Sequence, residues 1–145
     1  MLKIFIAALF MMMVPVAGAQ AHSYHKGDIL IGHVWAPPSQ NGTTSVYGPL
    51  MNNGAEADTL LSAQSPVAGT IVFVSDHDGQ RQEQDSIALP PGGEPVSLAA
   101  WGVHIELSDI KTPLANGTTF PLTLTFAHAG EITVEIEVET EASPQ

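Results

Sequence analysis

The sequence lacks cysteine and has few basic residues. Its 145 residues include four Lys and Arg against 15 Asp and Glu, for a formal net charge of −11. Without Cys there can be no disulfide, thiolate metal site or cysteine nucleophile. The shortage of basic residues argues against nucleic acid, whose phosphates require basic patches, and against binding to anionic lipid. The six His residues are therefore the most versatile chemical groups of a chain that has the length of one domain.

Residues 1–21 have the pattern of a secretory signal peptide. A basic start with Lys3 precedes an apolar run from Ile4 to Val14, and Ala19-Gln20-Ala21 is an A-x-A cleavage signal. The run is too short to span a bilayer, so we expect no membrane insertion after cleavage. Cleavage after Ala21 would leave His22 as the first residue, whereas cleavage after Ala19 would leave Gln20.

The signal segment also contains most of the sulfur of the chain. Four of the five Met residues precede position 22, so only Met51 remains in the mature protein. Lys3 is the one charged residue of the segment, and the mature formal charge is therefore −12. We expect one domain over 22–139 and a flexible tail over 140–145.

The mature sequence has a β pattern and no window typical of a helix. Phe120 to Phe126 and Glu131 to Glu139 each alternate apolar with polar residues, which predicts two strands of a hairpin with one face in a core. The glutamates of the second strand then form a mostly solvated outer face. Six more short apolar runs are separated by turn signals, which predicts a β-sandwich. They are Asp28–Trp35, Ser45–Met51, Thr59–Ala63, Thr70–Ser75, Val96–Ala100 and Val103–Leu107.

Several sequence blocks resemble the PCuAC family of periplasmic copper chaperones. The most specific is FPLTLTF at 120–126 followed by Ala129-Gly130, and the resemblance extends from about Gly27 to Val138. The other blocks, in order, are GDI at 27–29, VWA at 34–36, ADTLL at 57–61, SPVA at 65–68, LPPG at 89–92, WGVH at 101–104 and PL at 113–114. The resemblance implies a cupredoxin-like β-sandwich in the periplasm. It also implies delivery of copper to an acceptor cuproenzyme or a copper transporter.

The copper(I) ligands that the resemblance implies are mostly absent. The family carries a His, a Met and a closing His-x-Met, and only the His of the last motif is present, as His104 in His104-Ile105-Glu106. The first His position falls near Val74 and the Met position near Gln82, where residues 80–86 contain no sulfur. Since thioethers favour copper(I) whereas amines, imidazoles and carboxylates suit copper(II), the site is either lost or rebuilt for copper(II).

An N-terminal His22 would supply such a rebuilt site. Its α-amine and imidazole chelate one metal, and a second His completes a histidine brace, which suits the tetragonal geometry of copper(II). The candidates for the second His are His104 on a predicted strand, His77 in a predicted loop, and His33 on the first predicted strand, which lies close to His22 in sequence. Spacing does not choose among them, and each is also explained as a partly buried or surface residue. Asp76, Asp78 and Glu106 are candidates for an axial oxygen ligand.

These patterns predict a copper(II) carrier rather than an enzyme. The chain has no G-x-S-x-G, P-loop or H-E-x-x-H motif. Two alternatives remain open: a metal-free interaction module that keeps only the fold, and a copper oxygenase built on a histidine brace. The second requires an aromatic substrate platform, for which the mature chain has only two Trp and two Tyr residues.

Overall fold

A computed structural model describes residues 22–140. The predicted signal peptide and residues 141–145 of the predicted tail lie outside the described residues. Between residues 22 and 140 the chain forms thirteen strands and no helix, so the all-β prediction is confirmed. No helix in this part of the chain is long and apolar enough to cross a membrane. The strands are β1 Tyr24–Lys26, β2 Ile29–Ile31, β3 Trp35–Ala36, β4 Thr44–Val46, β5 Gly48–Asn52, β6 Asp58–Gln64, β7 Thr70–His77, β8 Gln80–Gln84, β9 Ile87–Leu89, β10 Val96–Leu98, β11 Val103–Ser108, β12 Thr119–Phe126 and β13 Gly130–Val138.

The strands form three sheets around one core. Sheet I has the order β1-β2-β5-β10, sheet II β4-β11-β7-β8 and sheet III β3-β13-β12-β6-β9. The predicted hairpin is confirmed as β12 and β13, which pair antiparallel. As their alternation predicts, the buried side chains of these strands include Phe120, Leu122, Leu124, Phe126, Val134, Ile136 and Val138.

Two of the predicted strands are interrupted. Asp28–Trp35 divides into β2 and β3, and Gly32 to Val34 between them is irregular. Ser45–Met51 divides at Tyr47, so that β4 joins sheet II while β5 joins sheet I. Gly48 has a φ of 134°, and a Cβ atom there would collide with the carbonyl oxygen of His33. Glycine is therefore required where the chain changes sheets, and this close approach brings the irregular segment against β5.

Three strands were not predicted, because they lack the apolar alternation that marks a strand. The five residues of β8 are all exposed and polar, and β8 forms only as the partner of β7 across the two-residue turn Asp78-Gly79. β9 and β1 have three residues each. β1 pairs antiparallel with β2 across Gly27-Asp28, where Gly27 has a φ of 56°. This hairpin returns the start of the described chain towards the segment that follows β2.

Candidate metal centre

One imidazole and two carboxylates meet at the end of β13. A ligand atom from each of His33, Glu137 and Glu139 lies within 4.8 Å of the other two. The Nε2 atom of His33 lies 3.1 Å from a carboxylate oxygen of Glu139, to which it donates a hydrogen bond when protonated on that nitrogen. The side chains are largely buried, with exposed fractions of 6% for His33 and 16% for Glu139. We call this group the β13 cluster.

The alternation of β13 and its pairing with β3 produce the cluster. Glu137 and Glu139 are two residues apart, so both point away from the core on the same side of sheet III. β3 runs parallel to β13 with Trp35 opposite Glu137, and His33 is two residues before Trp35. The backbone N–H of Glu139 donates to the carbonyl of Ala36 at 2.9 Å, which continues this pairing past the end of β13.

The two carboxyls of the cluster perturb one another. A hydrogen bond with Glu139 raises the pKa of Glu137, and burial and the negative charge of Glu139 act in the same direction. The positive charges of His33 and His22 act in the opposite direction on the pKa of Glu137. A cation held between the carboxylates would relieve their mutual repulsion.

His22 lies near the cluster but is not one of the three residues whose ligand atoms lie within 4.8 Å of one another. In the pairing of β1 with β2, Tyr24 is opposite Ile31 and Lys26 is opposite Ile29. His22 precedes β1 by two residues and His33 follows β2 by two residues, so both lie at the same end of this hairpin. The Tyr24 hydroxyl also accepts a hydrogen bond of 3.1 Å from the backbone N–H of Glu135, which holds the N-terminal segment along the edge of β13. The influence of His22 on the pKa of Glu137 agrees with this position.

His104 lies in a different region, on β11 of sheet II, as the sequence predicts. It is buried, with its Nδ1 atom 3.3 Å from the carbonyl oxygen of Gly102 and its ring 6.0 Å from that of Tyr47. Its cross-strand neighbour is Val74. His104 is not part of the β13 cluster, which is the one group of three potential ligands that residues 22–140 contain.

The negative charge of Glu106, two residues after His104, is neutralised by Arg81. Arg81 of β8 donates to both of its carboxylate oxygens, with Nη2 at 2.8 Å and Nε at 3.4 Å. This hydrogen bond and the charge of Glu106 raise the pKa of Arg81. The His104, Glu106 and Arg81 side chains are called the β11 face below.

His77 is exposed at the tip of the β7–β8 hairpin. It is the last residue of β7 and is opposite Gln80, so the predicted loop begins later, at Asp78. His33 also differs from the prediction, because it lies in the irregular segment after β2 rather than on a strand. Neither Asp76, Asp78 nor Glu106 belongs to the cluster, within the part of the chain that the structure describes.

The carboxylates of the cluster were missed by sequence reasoning. Glu137 and Glu139 were predicted to belong to a solvated face, yet both are partly buried. Alternation sets them on the outer side of β13 but carries no signal that His33 lies against that side.

Comparisons with known proteins identify the family. The family described as "Putative lipoprotein LpqE-like" matches residues 29–138. A "Putative lipoprotein Lxx21020" of Leifsonia xyli subsp. xyli is 26% identical over 127 residues, which are 85% of this chain and 76% of that protein. Among solved structures, the copper-bound PCuAC domain from PmoF2 is 30% identical with a TM-score of 0.72, over 83% of this chain and 99% of that domain.

Two further structures have the same fold. The apo PCuAC domain from PmoF1 is 27% identical with a TM-score of 0.73, over 83% of this chain and 100% of that domain. The copper(I) form of DR1885 from Deinococcus radiodurans is 22% identical with a TM-score of 0.66, over 86% and 84% of the two chains, and shows the fold alone. The chain belongs to the LpqE-like family and is a PCuAC protein. The predicted cupredoxin-like β-sandwich is confirmed.

Proposed function

We propose that this protein is an exported copper(II) carrier whose metal site is the β13 cluster completed by an N-terminal His22. The ligands are the α-amine and imidazole of His22, the imidazole of His33, and carboxylate oxygen from Glu137 or Glu139. Three nitrogens with an oxygen donor match the preference of copper(II) for tetragonal N,O coordination. The proposal assigns no role at this site to His104 or His77.

The observation that carries the proposal is the β13 cluster, in which one imidazole and two carboxylates offer ligand atoms within 4.8 Å of one another. The first hairpin and the Tyr24 hydroxyl bond to β13 support the addition of His22, which precedes β1. Two carboxylates at the end of β13 complete a donor set that contains no sulfur. A donor set of this kind favours copper(II) over copper(I).

The comparisons support copper as the cargo and a location outside the cytoplasm. One structural relative is a copper-bound PCuAC domain, and the curated relative is described as a lipoprotein. A free N-terminal His22 requires cleavage after Ala21 rather than after Ala19. The carrier would then deliver copper in the periplasm to a cuproenzyme or a copper transporter.

The direct test compares two forms of the exported chain, one starting at His22 and one with a single Gly added before it. The added residue displaces the amine while leaving every side chain in place. We expect copper(II) affinity to fall by at least roughly 100-fold, because even residues that only support a ligand change metal affinity about 10–100-fold. The nitrogen hyperfine pattern in the copper(II) EPR spectrum should change with it. Equal affinities and spectra would contradict the proposed site.

The same samples separate the two alternatives. A metal-free interaction module predicts that neither form retains copper against a chelator. A histidine-brace oxygenase predicts a reductant- and peroxide-dependent oxidation product, whereas a carrier releases copper(II) unchanged to a stronger acceptor.

A further inference from the structure

An uncharged groove opens beside the metal centre. It has a volume of about 460 Å³ and is lined by nine residues, none of which carries a charge. Aromatic and apolar side chains dominate the lining, which includes Trp35, Tyr47, Pro49, Leu98 and Trp101. Such a surface is unusual on a protein with a formal charge of −11.

Trp101 is presented to solvent on a tightly bonded turn. Its exposed fraction is 82%, and one other large apolar side chain in the described part of the chain, Leu61, is also exposed, at 49%. The turn is closed by bonds from Ala99 N–H to Val103 at 2.9 Å and from Gly102 N–H to Ala99 at 3.1 Å. An exposed Trp on a fixed backbone loses little conformational freedom on binding, and Trp is enriched among the residues that dominate interface energies.

Trp35 connects the groove to the metal centre. It lines the groove and is the strand partner of Glu137, two residues after His33. Its ring is tilted by 58° against that of Tyr47, with the ring centroids 5.3 Å apart. A molecule bound in the groove would therefore lie next to the β13 cluster.

The charges near the groove are predominantly negative. Glu137 pairs with Trp35 across sheet III, and the N–H of Asp76 donates to the carbonyl of Gly102, next to Trp101, at 3.0 Å. Arg81 is the cross-strand neighbour of Asp76, but its guanidinium is bound to Glu106 at 2.8 Å. A second copy of this chain would oppose the same carboxylates, and like charges across an interface weaken association. A basic partner would instead gain electrostatic attraction and faster encounter.

We propose that this groove, with Trp101 at its edge, is the docking surface for a protein partner that inserts an apolar side chain surrounded by Lys and Arg. Docking does not require copper. That the partner receives copper from the neighbouring centre rests on the proposed function.

The test places a photo-crosslinking amino acid, p-benzoylphenylalanine, at position 101 of the full chain in its native cells. The matched control carries the same group in place of Leu61, the other exposed apolar residue. We expect an adduct with one different protein from position 101 only, and mass spectrometry should locate the linked peptide beside Lys or Arg residues. No adduct, an adduct with a second copy, or equal labelling from position 61 would overturn the proposal.

Charge and affinity provide the second arm. Ser97 is exposed on the groove wall, and Ser97→Lys and Ser97→Glu add similar bulk but opposite charge. Ser97→Lys should reduce the yield of the adduct much more than Ser97→Glu. Equal losses would contradict the hypothesis that the partner is basic.

With the identified partner purified, Trp101→Ala should weaken binding roughly 30-fold and Leu61→Ala should leave it unchanged. Copper affinity of Trp101→Ala is measured separately, so failure of docking and failure of copper binding are distinguishable.

Discussion

The β13 cluster and the β11 face each place a histidine beside glutamate, but their charges are balanced differently. In the cluster, His33 meets two glutamates that hydrogen-bond to one another. On the β11 face, the single carboxylate of Glu106 is held at 2.8 Å by Arg81, a cation supplied by the chain itself. The aromatic rings of Trp35 and Tyr47 lie between the two regions.

This difference in charge balance makes His33, rather than His104, the histidine suited to bind a metal. Two carboxylates at close range repel one another unless a proton or a cation lies between them. The hydrogen bond with Glu139 raises the pKa of Glu137, and burial and the negative charge of Glu139 add to this effect. A divalent metal would replace that proton and gain an imidazole ligand from His33. On the β11 face a guanidinium already neutralises Glu106, so a metal there would compete with a fixed positive charge.

The largest expected effect comes from replacing each histidine in turn. His33→Gln removes a ligand and should lower copper(II) affinity by at least roughly 100-fold, for the same reason as the N-terminal extension. His104→Gln changes an equally buried imidazole outside the cluster and should leave the affinity unchanged. Competition with a chelator of known copper(II) affinity measures both.

The opposite result would assign copper to the β11 face instead of the β13 cluster. If His104→Gln abolished binding while His33→Gln retained it, the metal would belong to the β11 face. Circular dichroism of both variants checks that each remains folded, since both histidines are less than a tenth exposed.

The sequence predicts much of the fold because the hydrophobic alternation of β12 and β13 is long and unbroken. It does not predict β8, whose polar residues become a strand only because Asp78-Gly79 turns them back onto β7. Nor does it predict the division of Ser45–Met51 between two sheets. That division depends on the approach of His33 to Gly48, a contact between β5 and the irregular segment after β2.

The site is harder to predict than the fold for a similar reason. Alternation correctly sets Glu137 and Glu139 on the outer side of β13, but it cannot show whether that side is covered. His33 lies against it here, with its Nε2 atom 3.1 Å from a carboxylate oxygen of Glu139. His22 and His33 were both candidates, but the place of His33 at the end of β13 follows from the parallel pairing of β3 with β13, which the sequence does not reveal.

Asp58 is a third kind of carboxylate, because backbone N–H groups rather than a cation or a second carboxyl are its hydrogen-bond partners. Burial alone would raise its pKa, but hydrogen bonds from the N–H groups of His128, Thr59 and Ala129 outweigh burial and lower it. Asp58→Asn leaves an amide NH₂ facing one of these donors and should destabilise the protein by about 1–3 kcal/mol at neutral pH. Asp28 and Asp58 line one surface cavity, so Asp28→Asn is the matched control.

The pH dependence follows from the lowered pKa of Asp58. Because the folded state favours the charged form, its contribution is complete above the unfolded pKa of about 4. It is lost as the pH falls through the lower folded value. The difference between Asp58→Asn and the parent chain in urea unfolding should therefore shrink in acid. A difference that stayed constant down to pH 2 would contradict this assignment.

Removing one hydroxyl should have a smaller effect on the cluster. Tyr24→Phe deletes the acceptor for the Glu135 N–H and frees the segment that positions His22. Since one hydrogen bond contributes about 1 kcal/mol, copper(II) affinity should fall at most about fivefold and the free energy of unfolding at most about 1 kcal/mol. Tyr47→Phe removes the hydroxyl of a Tyr whose ring lies between the two regions, and should change neither. Unaltered affinity in Tyr24→Phe would show that His22 is positioned by other contacts.

The smallest expected effect tests the role of Arg81. Exposed ion pairs contribute little to stability, so Arg81→Gln should leave the unfolding midpoint and the tight copper site nearly unchanged. The substitution removes the cation bound to Glu106, however, and His104 and Glu106 lie on the same side of β11.

An EPR titration of Arg81→Gln with excess copper(II) should then reveal a second, weaker site. Adding His104→Gln to this variant should eliminate that site. Glu83→Gln alters only the longer contact of Arg81, at 3.5 Å, and should not create that site. A single site in Arg81→Gln would mean that the geometry of the β11 face, rather than the charge of Arg81, keeps copper away from it.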